Sequence, residues 1–123
     1  MKRKALRINT KPLIDTLSVQ TYSNNETRMV EYLSDKLGEI EKEMDLTLQK
    51  DTYGNIYITK GKADTYPCVV SHMDTVAPIV DRYSVHRDGD ILFAFNRDTK
   101  KQTDIGGDDK VGVFVCLQAL KDF

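Results

Sequence analysis

Hydrophobic residues recur at steps of three and four between Asn24 and Met44, and this spacing predicts the clearest helix of the chain. The side chains that would share one face are Met29, Val30, Leu33, Leu37, Ile40 and Met44. Asn24 or Asn25 is suited to cap the helix, because a short polar side chain can accept hydrogen bonds from its free amides. A shorter apolar pattern predicts another helix that ends near Leu17, with Pro12 in its first turn.

Alternating polar and apolar residues predict two antiparallel strand pairs. The first pair joins residues 46–50 (LTLQK) to residues 55–60 (NIYITK) through the turn-rich sequence DTYG. The second pair spans residues 83–96 and turns at Asp88-Gly89, a dipeptide that favours tight hairpins.

Residues 67–74 (PCVVSHMD) are predicted to form the central strand of the sheet. Cys68 to Val70 is an unbroken apolar run, and such runs are typical of strands covered on both faces. Residues 108–123 are apolar on nearly every side and predict a helix of about three turns or more. This order of elements predicts an α/β layered domain with a mixed β-sheet flanked by helices.

Length and composition favour one folded unit over residues 1–123. The chain is 40% hydrophobic and 30% charged, and its net charge of -1 lacks the basic excess of nucleic-acid binders. The longest apolar run, residues 111–117, is much shorter than the ~20 residues of a membrane span. Residues 1–8 are basic and lack the continuous apolar segment of a secretory signal. We therefore expect neither a nucleic-acid nor a membrane partner.

The two cysteines, Cys68 and Cys116, each lie within an apolar segment. We expect two small buried hydrophobes rather than a disulfide or a zinc thiolate pair. Free buried thiols are typical of a reducing compartment, so the expected location is cytoplasmic.

The first candidate site residues are His72 and Asp74. In a strand, the period of two would place both side chains on the same side, near a strand end where α/β folds collect ligands. A metal-bound imidazole commonly has its other ring nitrogen held by a carboxylate. For this tripeptide alone, a capped or hydrogen-bonded turn is the alternative interpretation.

The stretch Gly106-Gly107-Asp108-Asp109-Lys110 opens the last predicted helix. An aspartate can cap a helix, and the helix dipole favours a second one. Capping requires neither the paired glycines nor an upstream histidine, so the two motifs together favour a metal site. A phosphate-binding helix start is a further alternative, which the two negative charges disfavour.

The sequences SHMDTV (residues 71–76) and GGDDKVGV (residues 106–113) resemble the two metal motifs of the zinc-dependent exopeptidases of the M20 clan. Within that clan the resemblance is to the tripeptide aminopeptidases called peptidase T. It extends more loosely to residues 21–40 and 50–58, as an early helix and a following hairpin. The resemblance implies a zinc-exopeptidase-like fold and the removal of amino-terminal residues from short peptides.

By this resemblance, His72 binds one zinc ion, Asp108 bridges two, and Asp74 has a supporting catalytic role beside His72. Asp109 and Lys110 match the motif without being implied as ligands. A pair of zinc ions would polarise the peptide carbonyl and acidify the attacking water. The family also implies a cis peptide bond after Asp108.

The catalytic base of the resembled family is the first of two adjacent glutamates downstream of the second motif, yet the last glutamate here is Glu43. His86 lies in the predicted hairpin and is expected to be an ordinary strand histidine. We therefore expect an incomplete, amino-terminal part of a catalytic domain, inactive alone and with at most partial zinc occupancy. We also expect apolar surface around Val113, Phe114 and Leu117 to be uncovered and to promote self-association. The alternative is a non-catalytic binding or interaction module that keeps the peptidase fold.

Overall fold

The computed structural model describes residues 9–123, which form a small α/β fold. The helices are α1 (Lys11–Leu17), α2 (Thr27–Met44) and α3 (Gly107–Asp122). The strands are β1 (Leu46–Lys50), β2 (Ile56–Lys60), β3 (Tyr83–Asp88), β4 (Ile91–Asn96) and β5 (Gln102–Thr103). The predicted lack of a secretory signal at residues 1–8 lies outside the described residues.

The predicted helices are confirmed, but the predicted cap of α2 is wrong. The helix begins at Thr27, and Glu26 rather than an asparagine occupies the N-cap position. Asn24 adopts a left-handed conformation with φ of 66°, and its amide donates a hydrogen bond of 2.8 Å to Glu26 Oε1. The asparagine therefore forms the turn before the helix and leaves the cap position to a later residue.

Both predicted antiparallel pairs are confirmed. β1 pairs with β2, and Leu48 lies opposite Ile58. β3 pairs with β4 across a turn at Gly89, where φ is 59°, a conformation that glycine adopts without strain. The short strand β5 then adds to the free edge of β4.

The predicted mixed sheet with a central strand is wrong. The described strands form two separate antiparallel sheets, β1-β2 and β3-β4-β5. Residues 61–82, all within the described part of the chain, adopt neither helix nor strand. Val69 is 64% exposed, Val70 is 84% exposed, and Cys68 is exposed rather than buried. An apolar run forms a central strand only when neighbouring strands pair with its backbone, and none of the described strands does so.

The core lies between α2, β1 and α3. Its buried side chains are Met29, Leu33, Leu37, Leu46 and Val113. The expectation that Val113 lies on uncovered surface is therefore wrong, because only 4% of this residue is exposed. α1 packs against α3 and thereby brings the start of α3 close to the chain that follows α1.

None of the helices within residues 9–123 combines the length and the apolar character needed to cross a membrane.

Candidate metal centre

Side-chain hydrogen bonds hold the irregular segment that carries His72 and Asp74. Thr21 Oγ1 donates to the carbonyl of Met73 at 2.6 Å, and Thr75 Oγ1 donates to the carbonyl of Thr21 at 2.6 Å. Thr21 and Thr75 are both buried, so these reciprocal bonds are shielded from water. They join the segment that carries His72 to the loop between α1 and α2.

The second motif reaches the site through an irregular start to α3. Gly106 precedes the helix in the left-handed conformation, with φ of 67°, and Asp108 and Asp109 have non-helical dihedral angles. The peptide bond between the two aspartates is cis, as the family resemblance implies. Within the described chain, the carboxylates of Asp108 and Asp109 both contact His72, and neither accepts a hydrogen bond from a backbone amide of α3. The interpretation of these side chains as helix caps is therefore wrong.

The structure brings the three predicted site residues together. His72 Nδ1 lies 3.1 Å from Asp74 Oδ1 and also 3.1 Å from the Asp74 carbonyl oxygen. His72 Nε2 lies 3.0 Å from Asp108 Oδ1. Each nitrogen of the imidazole therefore faces a carboxylate, one from its own segment and one from the start of α3.

The surroundings of the imidazole shift the pKa of His72. Partial burial lowers the pKa of His72 and is the largest single influence, but it is outweighed by several acceptors. The Asp74 carbonyl and the carboxylates of Asp108 and Asp74 together raise the pKa of His72 above its usual value. The protonated ring is favoured because it can donate from both nitrogens to oxygen atoms.

A cleft of about 130 Å³ opens in front of these groups. Its lining includes His72, Asp74, Asp108 and a further carboxylate, Asp104. Sequence reasoning missed Asp104, although its spacing from Gly106 is typical of an aspartate that closes a turn. Asp104 Oδ1 accepts the Gly106 amide at 2.7 Å, so this carboxylate also supports the glycine that starts α3.

The donor types fit zinc, which binds imidazole nitrogen and carboxylate oxygen in proteins. Two ligands of one tetrahedral zinc ion are about 3.3 Å apart when each lies about 2.0–2.1 Å from the metal. The 3.0 Å between His72 Nε2 and Asp108 Oδ1 is close to that separation. Among residues 9–123, no group of three or more His, Cys, Asp or Glu side chains forms a complete cluster for a metal ion.

The other histidine has a different environment. His86 Nε2 lies 2.6 Å from Ser84 Oγ, and the ring stacks on Phe95 with 4.4 Å between the ring centroids. His86 is not among the residues that line the cleft. The prediction of an ordinary strand histidine is confirmed.

Comparisons of the chain with family models, with curated proteins and with solved structures find no match.

Proposed function

We propose that this chain carries the zinc-binding part of an M20-type exopeptidase that acts on the amino-terminal residues of short peptides. His72 and Asp108 are the proposed zinc ligands, and Asp74 orients the His72 ring. The observation that carries the proposal is the position of His72 between two carboxylates, at 3.1 Å and 3.0 Å from its two nitrogens.

Asp74 has a defined chemical task in this proposal. A proton on Nδ1 that is shared with Asp74 leaves the lone pair of Nε2 directed toward Asp108, where a metal ion would bind. The carboxylate also makes the imidazole a stronger ligand, because it stabilises positive charge on the ring. Zinc at this position would polarise a peptide carbonyl and lower the pKa of a water molecule.

The side chains around the cleft favour a cation over an anion. Asp74, Asp104 and Asp108 all line it, and the Asp108 side chain is 94% exposed and thus accessible to an incoming ion. Phosphate would be repelled by this set of carboxylates. The sequence contains no glutamate after Glu43, so we expect zinc binding without peptide hydrolysis by this chain.

Zinc titration by calorimetry tests the proposal. We expect a dissociation constant of about 1 µM or tighter for the wild type. His72→Ala and Asp108→Ala remove ligands and should abolish binding. Asp74→Asn should weaken binding by about 10- to 100-fold, the usual effect of losing the partner of a ligating histidine.

Two substitutions serve as matched controls. Asp64→Ala removes an exposed carboxylate that does not line the cleft, and His86→Gln removes the other imidazole. Both should retain wild-type zinc affinity, and circular dichroism should verify that every variant is folded. A wild type that binds no zinc, or a His72→Ala variant with unchanged affinity, would exclude His72 as a metal ligand.

A further inference from the structure

The backbone at His72 is not positioned by a strand ladder, because residues 61–82 form no strand in the described chain. Besides Asp108, which contacts the His72 ring, two side chains of α3 make polar contacts with this segment. Cys116 Sγ lies 3.4 Å from Ser71 Oγ, and Asp109 Oδ2 accepts the His72 amide at 3.4 Å. A sulfhydryl is a weak hydrogen-bonding partner, whereas a carboxylate is a strong acceptor. Within the described chain, the long hydrogen bond to Asp109 is the polar contact that joins α3 to the backbone of His72.

The position of the Asp109 carboxylate depends on a glycine one turn along α3. A Cβ atom placed on Gly112 would lie 2.5 Å from Asp109 Cγ, well inside the van der Waals contact distance. The hydrogen atoms of Gly112 leave room for the carboxylate beside the helix. Any larger residue at position 112 would displace the carboxylate from the His72 amide.

We propose that Asp109 is a positioning residue for the metal site and acts by holding the backbone of His72. The neighbouring Asp108 contacts the ring of the same histidine, at 3.0 Å from Nε2. Two consecutive residues of α3 thus hold both ends of one ligand, and this restricts its motion before zinc binds. The inference rests on the proposed function, since it takes His72 and Asp108 as zinc ligands.

The restriction matters because a ligand that is held in place loses less conformational freedom when the metal binds. Asp109 also adds a negative charge near the cleft, which would attract a cation without any positioning. The substitutions Asp109→Asn and Asp109→Ala separate these effects. Asparagine keeps an acceptor oxygen of nearly the same size but removes the charge, whereas alanine removes both.

The experiment has two readouts, the ¹H–¹⁵N chemical shift of the His72 amide without metal and the affinity for zinc alone. In Asp109→Ala, the amide proton should move upfield, because it loses a charged acceptor. Zinc affinity should fall by about 10-fold or more. In Asp109→Asn, the His72 amide shift and the zinc affinity should both stay close to their wild-type values. Gly112→Ala should reproduce the Asp109→Ala result, while Gly38→Ala, where a Cβ meets no atom within 4 Å, should change neither readout.

The outcomes separate the two proposals. A His72 amide shift that is unchanged in both Asp109→Ala and Gly112→Ala overturns the positioning role, whatever the zinc affinity. If the wild type binds no zinc, the proposed function fails, but the amide shift still tests the contact between Asp109 and His72. If Asp109→Ala does not fold, Gly112→Ala tests the same displacement of the carboxylate. If Asp109→Asn changes the amide shift and the zinc affinity as much as Asp109→Ala does, the effect comes from the charge of Asp109. That result also overturns the positioning role.

Discussion

Gly106 is the residue whose substitution would most directly disturb the start of α3. Its φ of 67° is strained for other residues, and a Cβ there would lie 2.6 Å from Lys110 Cε and 3.0 Å from Thr75 Cγ2. Lys110 is 2% exposed, and its Nζ donates to the carbonyls of Leu17 at 2.7 Å and Val19 at 3.2 Å. Burial lowers the pKa of Lys110 to about 8, which the charge of Asp104 partly opposes. The glycine thus provides space for a buried lysine.

Gly106→Ala and Gly89→Ala form a matched pair that isolates this packing. Both glycines are left-handed, with φ of 67° and 59°, but a Cβ on Gly89 meets no atom within 4 Å. We expect Gly89→Ala to lower the free energy of unfolding by about 1–2 kcal/mol. Gly106→Ala should cost about 1–3 kcal/mol more, because Lys110 must move. Urea denaturation measures both changes, and equal losses would show that Lys110 does not restrict position 106.

At the scale of elements, Tyr83 on β3 joins the end of α1 to the loop before α3. Its hydroxyl donates to the carbonyls of Leu17 at 3.1 Å and Ile105 at 3.3 Å, which share its single proton. The Lys110 ammonium lies 5.4 Å from the centre of the Tyr83 ring, within range of a cation–π contact. Burial, with a smaller effect from the charge of Asp104, raises the pKa of Tyr83 to about 12.

The substitution Tyr83→Phe tests the contribution of these hydrogen bonds through the pH dependence of the free energy of unfolding. Between pH 7 and 9, loss of the hydroxyl should lower the free energy of unfolding by about 1 kcal/mol. The unfolded tyrosine ionises near its ordinary pKa of 10.0, whereas the folded one ionises near 12, so the unfolded state binds fewer protons between these values. The wild type should therefore exceed Tyr83→Phe in free energy of unfolding by the full amount below pH 10. This difference should decline as the pH rises toward 12.

Urea denaturation of both proteins across this pH range measures the difference directly. Tyr53→Phe is the matched control, because Tyr53 is 91% exposed and should show no difference at any pH. A gap between wild type and Tyr83→Phe that stays constant from pH 8 to 12 would contradict a buried, hydrogen-bonded hydroxyl.

At the scale of the whole molecule, apolar side chains are distributed unevenly. Leu37 on α2 is 1% exposed, whereas Val70, in the run predicted as a central strand, is 84% exposed. Val69 and Val76 in the same segment are 64% and 86% exposed. The free energy of folding from apolar burial therefore comes mainly from the core around α2, β1 and α3, against which Met73 also packs, and the exposed Val69, Val70 and Val76 contribute little.

Two alanine substitutions test this distribution. Leu37→Ala should lower the free energy of unfolding by about 2–5 kcal/mol, because it leaves a cavity in the core. Val70→Ala should change it by less than about 0.5 kcal/mol, as expected for an exposed side chain. Chemical denaturation measures both values. A loss of more than about 1 kcal/mol for Val70→Ala would mean that this run is covered by other groups.

The sequence alone determined the local features of this protein. The periodicity of α2 and the turn at Gly89 depend on residues close together in the chain, where spacing dictates which side chains meet. The contact of His72 with Asp74 is equally local, but the strand that was expected to place both side chains on one side does not form. The prediction that the Cys68–Val70 run forms a central strand was wrong, because an apolar segment has the same composition whether or not other strands pair with it.

Tertiary structure alone decided how the site is assembled. Asp108 reaches the ring of His72 across 36 positions, and Asp109 reaches its backbone across 37. Both contacts depend on how α3 packs against α1 and on hydrogen bonds that join Thr21 to residues 73 and 75. Side-chain spacing predicts contacts within an element, but the relative position of two elements depends on the packing of many distant residues at once.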